Sequence, residues 1–129
     1  MNKLEQAFDH GKAFIPFITA GDPSLEITEQ LVLKMAEAGA DLIELGIPFS
    51  DPVAEGPIIQ EADYRALEAG TTTDKLFDMM RSIRKSCNVP IAFMTYVNPI
   101  FTYGTDKFMK NCQEVGIDAV IVPDVQIGR

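Results

Sequence analysis

Three carboxylates fall within twelve residues of the stretch "ADLIELGIPFSDPVAEGPIIQ" (40–60). Glu44 interrupts an apolar run, flanked by Ile43 and Leu45 and two residues short of Gly46. A carboxyl group enclosed by apolar atoms has its charged form disfavoured, which lifts its pKa toward the range useful for proton transfer. The spacing leaves a second reading open, a structural Glu paired with a Lys or Arg from elsewhere. Asp51 and Glu55 stand in a segment punctuated by Pro48, Pro52, Gly56 and Pro57, residues that exclude regular structure and shape an exposed turn. Acids in such a turn are ordinarily solvated. A metal site there would lack the nearby His or Cys that usually completes one.

Little else in the chain is reactive. His10 is the single histidine and reads as a surface residue. Cys87 and Cys112 lack CxxC or His-rich company, so a structural zinc is not expected and reduced thiols in a cytoplasm are. The densest basic run, "RSIRKS" (81–86), closes a predicted helix, where cations suit the helix dipole and face solvent. A net charge of -8 over 129 residues argues against binding a phosphate backbone. There is no signal-peptide pattern and no apolar run near the length of a membrane span, so a cytoplasmic protein is expected.

These residues need elements to position them, and the punctuation supplies a regular series. Residues 2–10 predict a short amphipathic helix and 13–20 a strand closed by Gly21-Asp22-Pro23. A helix then runs from about Ser24 to Gly39, with Ile27, Leu31 and Met35 four apart on one face. "DLIELG" (41–46) reads as a strand buried on both sides. Two helices follow over 58–69 and 74–86, then a strand over 89–97, a helix over 105–116 and a strand over 118–123. The order β-α-β-α-α-β-α-β predicts a parallel sheet in one α/β domain.

Two echoes suggest internal duplication. "FITAGDP" (17–23) matches "FMTYVNP" (93–99) at an offset of 93 − 17 = 76, and "EAGADLIEL" (37–45) matches "EVGIDAVIV" (114–122) at 114 − 37 = 77. Shared punctuation of all strand–helix units accounts for part of this, and repetition for the rest. A repeated βα series predicts the (β/α)₈ barrel, whose active site lies at the carboxyl ends of the strands. A full barrel takes about 250 residues, so four strands make the N-terminal half of one. A four-stranded open sheet of another α/β fold is the alternative.

"ELGIPFSDPVAEGPIIQ" resembles the hallmark of the tryptophan synthase α-subunit family, E-L-G-x-P-F-S-D-P-x-A-D-G-P-x-I-Q. "PFITAGDP" and "MTYVNPI" resemble the same family, and the similarity runs from about residue 4 to residue 124. The resemblance implies a truncated TIM barrel and a retro-aldol cleavage of indole-3-glycerol phosphate to indole and glyceraldehyde 3-phosphate. Glu44 then takes the place of the glutamate that protonates the indole ring. Glu55 falls on the loop aspartate that holds the indole N–H, one methylene longer than the family's residue. Asp51 falls on a loop acid that contacts the β subunit, while Phe17 and Tyr96 fall on the indole pocket. Pyridoxal phosphate belongs to that partner β subunit in an α2β2 assembly, so no cofactor is expected on this chain.

The resemblance also implies what four strands lack. The family's phosphate grip comes from loops after the seventh and eighth strands, and its lid follows the sixth. After "VPD" the family continues with Pro and paired glutamates, whereas this chain reads "VQIGR". Strand alternation, taken with the resemblance, turns Ile15, Phe17, Leu42, Ala92, Met94, Ala119 and Ile121 toward the barrel interior. The expectation is an inactive, self-associating half-barrel. Two alternatives stand beside it, a stand-alone indole-3-glycerol-phosphate lyase and a non-catalytic half-barrel that only binds or assembles.

Overall fold

The computed structural model describes residue 5 and residues 11–50 and 56–124. Apart from Glu5, which is helical, the helix expected over 2–10 lies outside them. Four strands, β1 (Phe17–Thr19), β2 (Ile43–Gly46), β3 (Ile91–Met94) and β4 (Ala119–Ile121), form one sheet in the order β1-β2-β3-β4. Every neighbouring pair is parallel. Five helices connect them: α1 (Leu25–Glu37), α2 (Pro57–Glu68), α3 (Thr73–Arg84), α4 (Val97–Tyr103) and α5 (Thr105–Glu114).

The strands are shorter than the apolar runs that predicted them. In the first run Pro16 has no N–H to give the ladder, although its carbonyl still accepts from Glu44 N at 2.9 Å. The strand expected over 89–97 forms only over β3, and helix α4, which takes in Val97, was not expected. Pro99 is its third residue, inside the first turn, where no helical bond needs a proline's missing N–H. Asp124 accepts a hydrogen bond from Val97 N at 3.0 Å and so tethers the start of α4 to the end of β4.

Alternate strand residues face the helices and build the core. Ile43, Leu45, Ile91 and Phe93 are fully buried with Val32 of α1 and Leu76, Phe77, Met80 and Ile83 of α3. Phe77 sits at the centre of an aromatic cluster, 5.8 Å from Phe93 and 5.6 Å from Phe108, both edge-on. Burial in this layer pushes the Cys112 thiol up to about 12. Cys112 and Cys87 are both free. The core side of α1 differs from expectation. Thr28 and Val32 are its buried positions, while Ile27 and Leu31 stand about two-fifths exposed. Thr28 is accommodated because its hydroxyl donates to Ser24 O and accepts from Gly21 N, each at 2.9 Å.

The two sequence echoes have different fates. Asp41 accepts from Phe14 N at 2.7 Å and its own N–H donates to Phe14 O at 2.9 Å. Asp118 repeats both bonds with Ile91, at 3.0 and 2.9 Å. Donors and acceptors are all displaced by 77 residues (118 − 41 and 91 − 14). The preceding helix ends repeat as well: Ala40 N donates to Met35 O and Ile117 N to Cys112 O, with Gly39 and Gly116 at positive φ. The echo between 17–23 and 93–99 is not structural. Phe17 pairs with Glu44 on one face of the sheet, whereas Phe93 pairs with Leu45 on the other. An offset of 76 is one residue out of step, and one residue reverses the face.

Arg84 also departs from expectation. Its guanidinium does not face solvent at a helix end but donates to four carbonyls: Val89 (2.7 Å), Val115 (2.9 Å), Gly116 (3.0 Å) and Cys87 (3.3 Å). Burial lowers its pKa from the ordinary arginine value, with Asp118 acting against that shift. These bonds join the segments that lead into β3 and β4. Arg84→Met should therefore lower unfolding free energy by about 3 kcal/mol, since each stranded carbonyl costs on the order of 1–3 kcal/mol. Urea denaturation would measure this, and a loss below about 1 kcal/mol would show that water replaces the guanidinium at little cost.

Candidate active site at the open face of the sheet

The strand residues that alternate with the core form two rows across the sheet. Phe17, Glu44, Ala92 and Ala119 make one, and Thr19, Gly46, Met94 and Ile121 the next. Glu44 is the one ionisable side chain in these rows. It is half-buried, with Phe17 and Ala92 as its neighbours across the ladder. Sequence alternation had assigned this face to Phe17, Ala92, Met94, Ala119 and Ile121, and the register agrees. Within 41–46, Ile43 and Leu45 are fully buried on the helix side, and on the other face Leu42 and Gly46 are buried while Glu44 is half-buried.

A glycine makes room for the Phe17 ring. A Cβ built on Gly46 would lie 2.8 Å from Cζ of Phe17, so the ring occupies the space a side chain at 46 would need. Tyr96 lies two residues beyond Met94 and is 97% buried, its ring 5.4 Å from that of Phe49. Phe49 comes from the segment after β2, so the contact ties the exits of β2 and β3 together.

Asp51 and Glu55 lie outside the described residues. What flanks them is described. Phe49 and Ser50 precede them, and Gly56 follows as the N-cap of α2. A groove of about 390 Å³ is lined by Phe49, Ser50, Asp74, Asn98 and Tyr103 among others, and no residue of the two rows lines it. It lies apart from Glu44. Among the described residues no group of His, Cys, Asp and Glu is clustered to hold a metal ion, and no helix is long and apolar enough to cross a membrane.

Sequence reading missed a tie at the exit of β1. Arg65 of α2 grips Asp22 with two parallel bonds, Nε to Oδ1 at 2.8 Å and Nη2 to Oδ2 at 3.0 Å. Hydrogen bonding to Asp22 holds the Arg65 guanidinium above its ordinary pKa. Asp22 had been read only as turn punctuation. The pairing spans 43 positions in sequence, and no local pattern signals it.

Parallel strands with helices on one face, and an acid at a strand's carboxyl end on the other, define an arc of an α/β barrel of the enzyme type. Comparison with known proteins makes the class specific. The family described as "Tryptophan synthase alpha chain" matches residues 4–128, and the chain belongs to it. A tryptophan synthase alpha chain of Alkaliphilus metalliredigens is 48% identical over 127 residues, covering 98% of this chain and 48% of the relative. One from Lacticaseibacillus casei is 49% identical over 125 residues, covering 97% and 47%. The solved α subunit of Legionella pneumophila superposes with a TM-score of 0.90 at 42% identity, covering 96% of this chain and 50% of that one. A chain in the tryptophan synthase complex of Pyrococcus furiosus gives 0.83 at 41% identity, covering 88% and 47%. The chain thus spans about half the length of the relatives it matches.

The crowding of Phe17 against Gly46 can be tested without any assay of activity. Gly46→Ala should destabilise the chain by about 1–3 kcal/mol, the usual cost of overpacking. Phe17→Leu, made together with it, should recover part of that loss. Additive penalties in urea denaturation would show that the ring does not occupy the space above residue 46.

Proposed function

We propose that this chain carries the proton-transfer part of a site that cleaves indole-3-glycerol phosphate to indole and glyceraldehyde 3-phosphate, a step in tryptophan formation. The observation that carries this reading is the position of Glu44, the one acid in rows otherwise made of Phe, Thr, Gly, Ala, Met and Ile. Its support is the family to which the chain belongs.

The reaction divides between two proton movements. Glu44 gives a proton to the indole ring carbon that bears the side chain, producing a cationic indolenine. The carbon–carbon bond then breaks, its electrons return to the ring, and the adjacent hydroxyl loses its proton as the aldehyde forms. The Glu44 carboxylate left by the first transfer is the base these rows offer for that proton. Phe17, beside it in the ladder, gives the ring an apolar surface to lie against, and Tyr96 closes the indole pocket. Glu55 holds the indole N–H and stabilises the cation. Asp51 meets a β subunit, and pyridoxal phosphate resides on that partner, leaving this chain without a cofactor. The setting is cytoplasmic.

On this reading the N-terminal half-barrel is incomplete by itself. Its phosphate grip belongs to strands that lie in the unmatched half of the relatives. Joined to the C-terminal half of the Alkaliphilus chain, the protein should release indole, and Glu44→Gln should lower kcat by about 10²–10⁴-fold with KM little changed. Retention of most turnover would remove Glu44 from the chemistry.

In the unjoined chain Phe17, Met94, Ala119 and Ile121 of the rows are partly exposed, and neither β1 nor β4 has a second ladder partner among the described residues. Wet apolar surface and unpaired edges both favour association. Size-exclusion chromatography with light scattering should show dimers or larger species without indole release. A cooperatively folded monomer that turns over substrate would contradict the half-barrel reading.

A further inference from the structure

We infer that the Thr19 hydroxyl is a further binding group of this site, and that it takes a hydroxyl of the substrate's glycerol chain. The inference rests on the reaction proposed above and adds to it a residue that the sequence reading left without a role.

Each of the two rows carries one polar side chain, Glu44 in the first and Thr19 in the second. Phe17 pairs with Glu44 and Thr19 with Gly46, so Thr19 is the diagonal neighbour of Glu44, one step nearer the carboxyl ends of the strands. Diagonal neighbours on one face lie about 7–8 Å apart, a gap that one small molecule can bridge. Among the described residues neither side chain makes a hydrogen bond or an ion pair. Thr19 is only 7% exposed. Other buried polar groups are provided for. The Thr28 and Thr95 hydroxyls donate to Ser24 O and Tyr96 O, and Asp63 is partnered. Thr71, whose hydroxyl is pressed against Gly21, lies beyond the rows.

The surroundings of Thr19 explain why the fold leaves it unpaired. Across the ladder stands Gly46, and the Phe17 ring fills the space a side chain there would need. On its other side β1 has no ladder partner among the described residues. A hydroxyl withdrawn from water without a protein partner is costly, and folded proteins hold few of them. Here it stands beside the one acid of the rows.

The proposed reaction supplies a partner. The ring lies against Phe17 with its reacting carbon at Glu44, and the phosphate is gripped at the carboxyl ends of other strands. The glycerol chain therefore leaves the first row in the direction of the second, a step of roughly 6.6 Å at two residues of ~3.3 Å each. A threonine hydroxyl suits this place because it both donates and accepts, and it puts no charge beside the acid. With the ring on Phe17 and the chain held at Thr19, rotation about the bond that breaks is restricted, which favours the reactive geometry.

A comparison of two ligands tests this in the joined protein carrying Glu44→Gln, which binds substrate without turnover. One is indole-3-glycerol phosphate, and the other is 3-(indol-3-yl)propyl phosphate, in which hydrogens replace the hydroxyls. Thr19→Val keeps the shape of the side chain and should weaken the first by about tenfold, while changing the second by less than about twofold. Thr19→Ser should bind the first within about threefold of the parent. The urea midpoint of Thr19→Val should equal or exceed the parent's, because a hydroxyl without a protein partner adds nothing to the fold. A lowered midpoint, or failure of Thr19→Val to fold, would reveal such a partner and overturn the inference. Equal weakening of both ligands, or of neither, would overturn it as well. Binding of neither ligand by the parent would remove the proposed reaction and this inference with it. Full turnover by Glu44→Gln would remove only that residue from the chemistry, and KM for the substrate against Ki for the propyl analogue in the Thr19 variants would then decide the role of Thr19.

Discussion

Along a parallel strand, neighbouring side chains leave on opposite faces, and the described helices pack on one of them. Nearly everything else follows from that division. The covered side takes Ile43, Leu45, Ile91 and Phe93 into a core centred on Phe77. The other side takes Phe17, Glu44 and Ala92 in one row. Glu44 is tolerable in the middle of an apolar strand because its two sequence neighbours point into the core and it does not. A shift of one residue would bury the carboxylate among Val32, Leu76 and Phe77 and present two apolar side chains in its place.

The two ends of the sheet are held by different means. At the amino ends, Asp41 and Asp118 each pin a neighbouring strand through one carboxylate and one backbone bond, and Arg84 gathers four carbonyls into one guanidinium. These are short, multiple and partly buried interactions, of the sort that maintain a register. At the carboxyl ends the described ties are of other kinds. Asp22 meets Arg65, Asp124 meets Val97, and Phe49 meets Tyr96. A barrel enzyme divides its labour in this way, with stability at one rim and adaptable loops at the other.

The incomplete arc bears directly on the proposed chemistry. A proton-donating carboxyl group works best where water is excluded, because desolvation then disfavours its charged form. In this chain Glu44 is only half-buried. Its surroundings on the open side have to come from further strands, whether of the same polypeptide or another. The residue is supplied by the four strands described, and its working environment by whatever closes the barrel.

Much of this was legible in the sequence. Strand–helix alternation gave the parallel α/β class because apolar runs and Gly or Pro stops are local features. Period-two alternation, taken with the family resemblance, gave the face on which Phe17 and Met94 lie, and the E-x-G-x-D echo located two aspartates that prove structurally equivalent. The resemblance to a family, carried by one seventeen-residue stretch, gave the residues to which roles attach. Tertiary structure alone decided the rest. The apolar stripe of α1 put Ile27 and Leu31 partly in water, because Thr28 satisfies its hydroxyl on Ser24 O and Gly21 N and fills the buried position. Helix α4 lies mostly in 98–103, to which the sequence reading assigned no element. The grip of Arg65 on Asp22 and the four-carbonyl staple of Arg84 link segments that no local pattern relates. Pairing across such distances depends on where the packed helices bring the side chains, and periodicity records only which way each one faces.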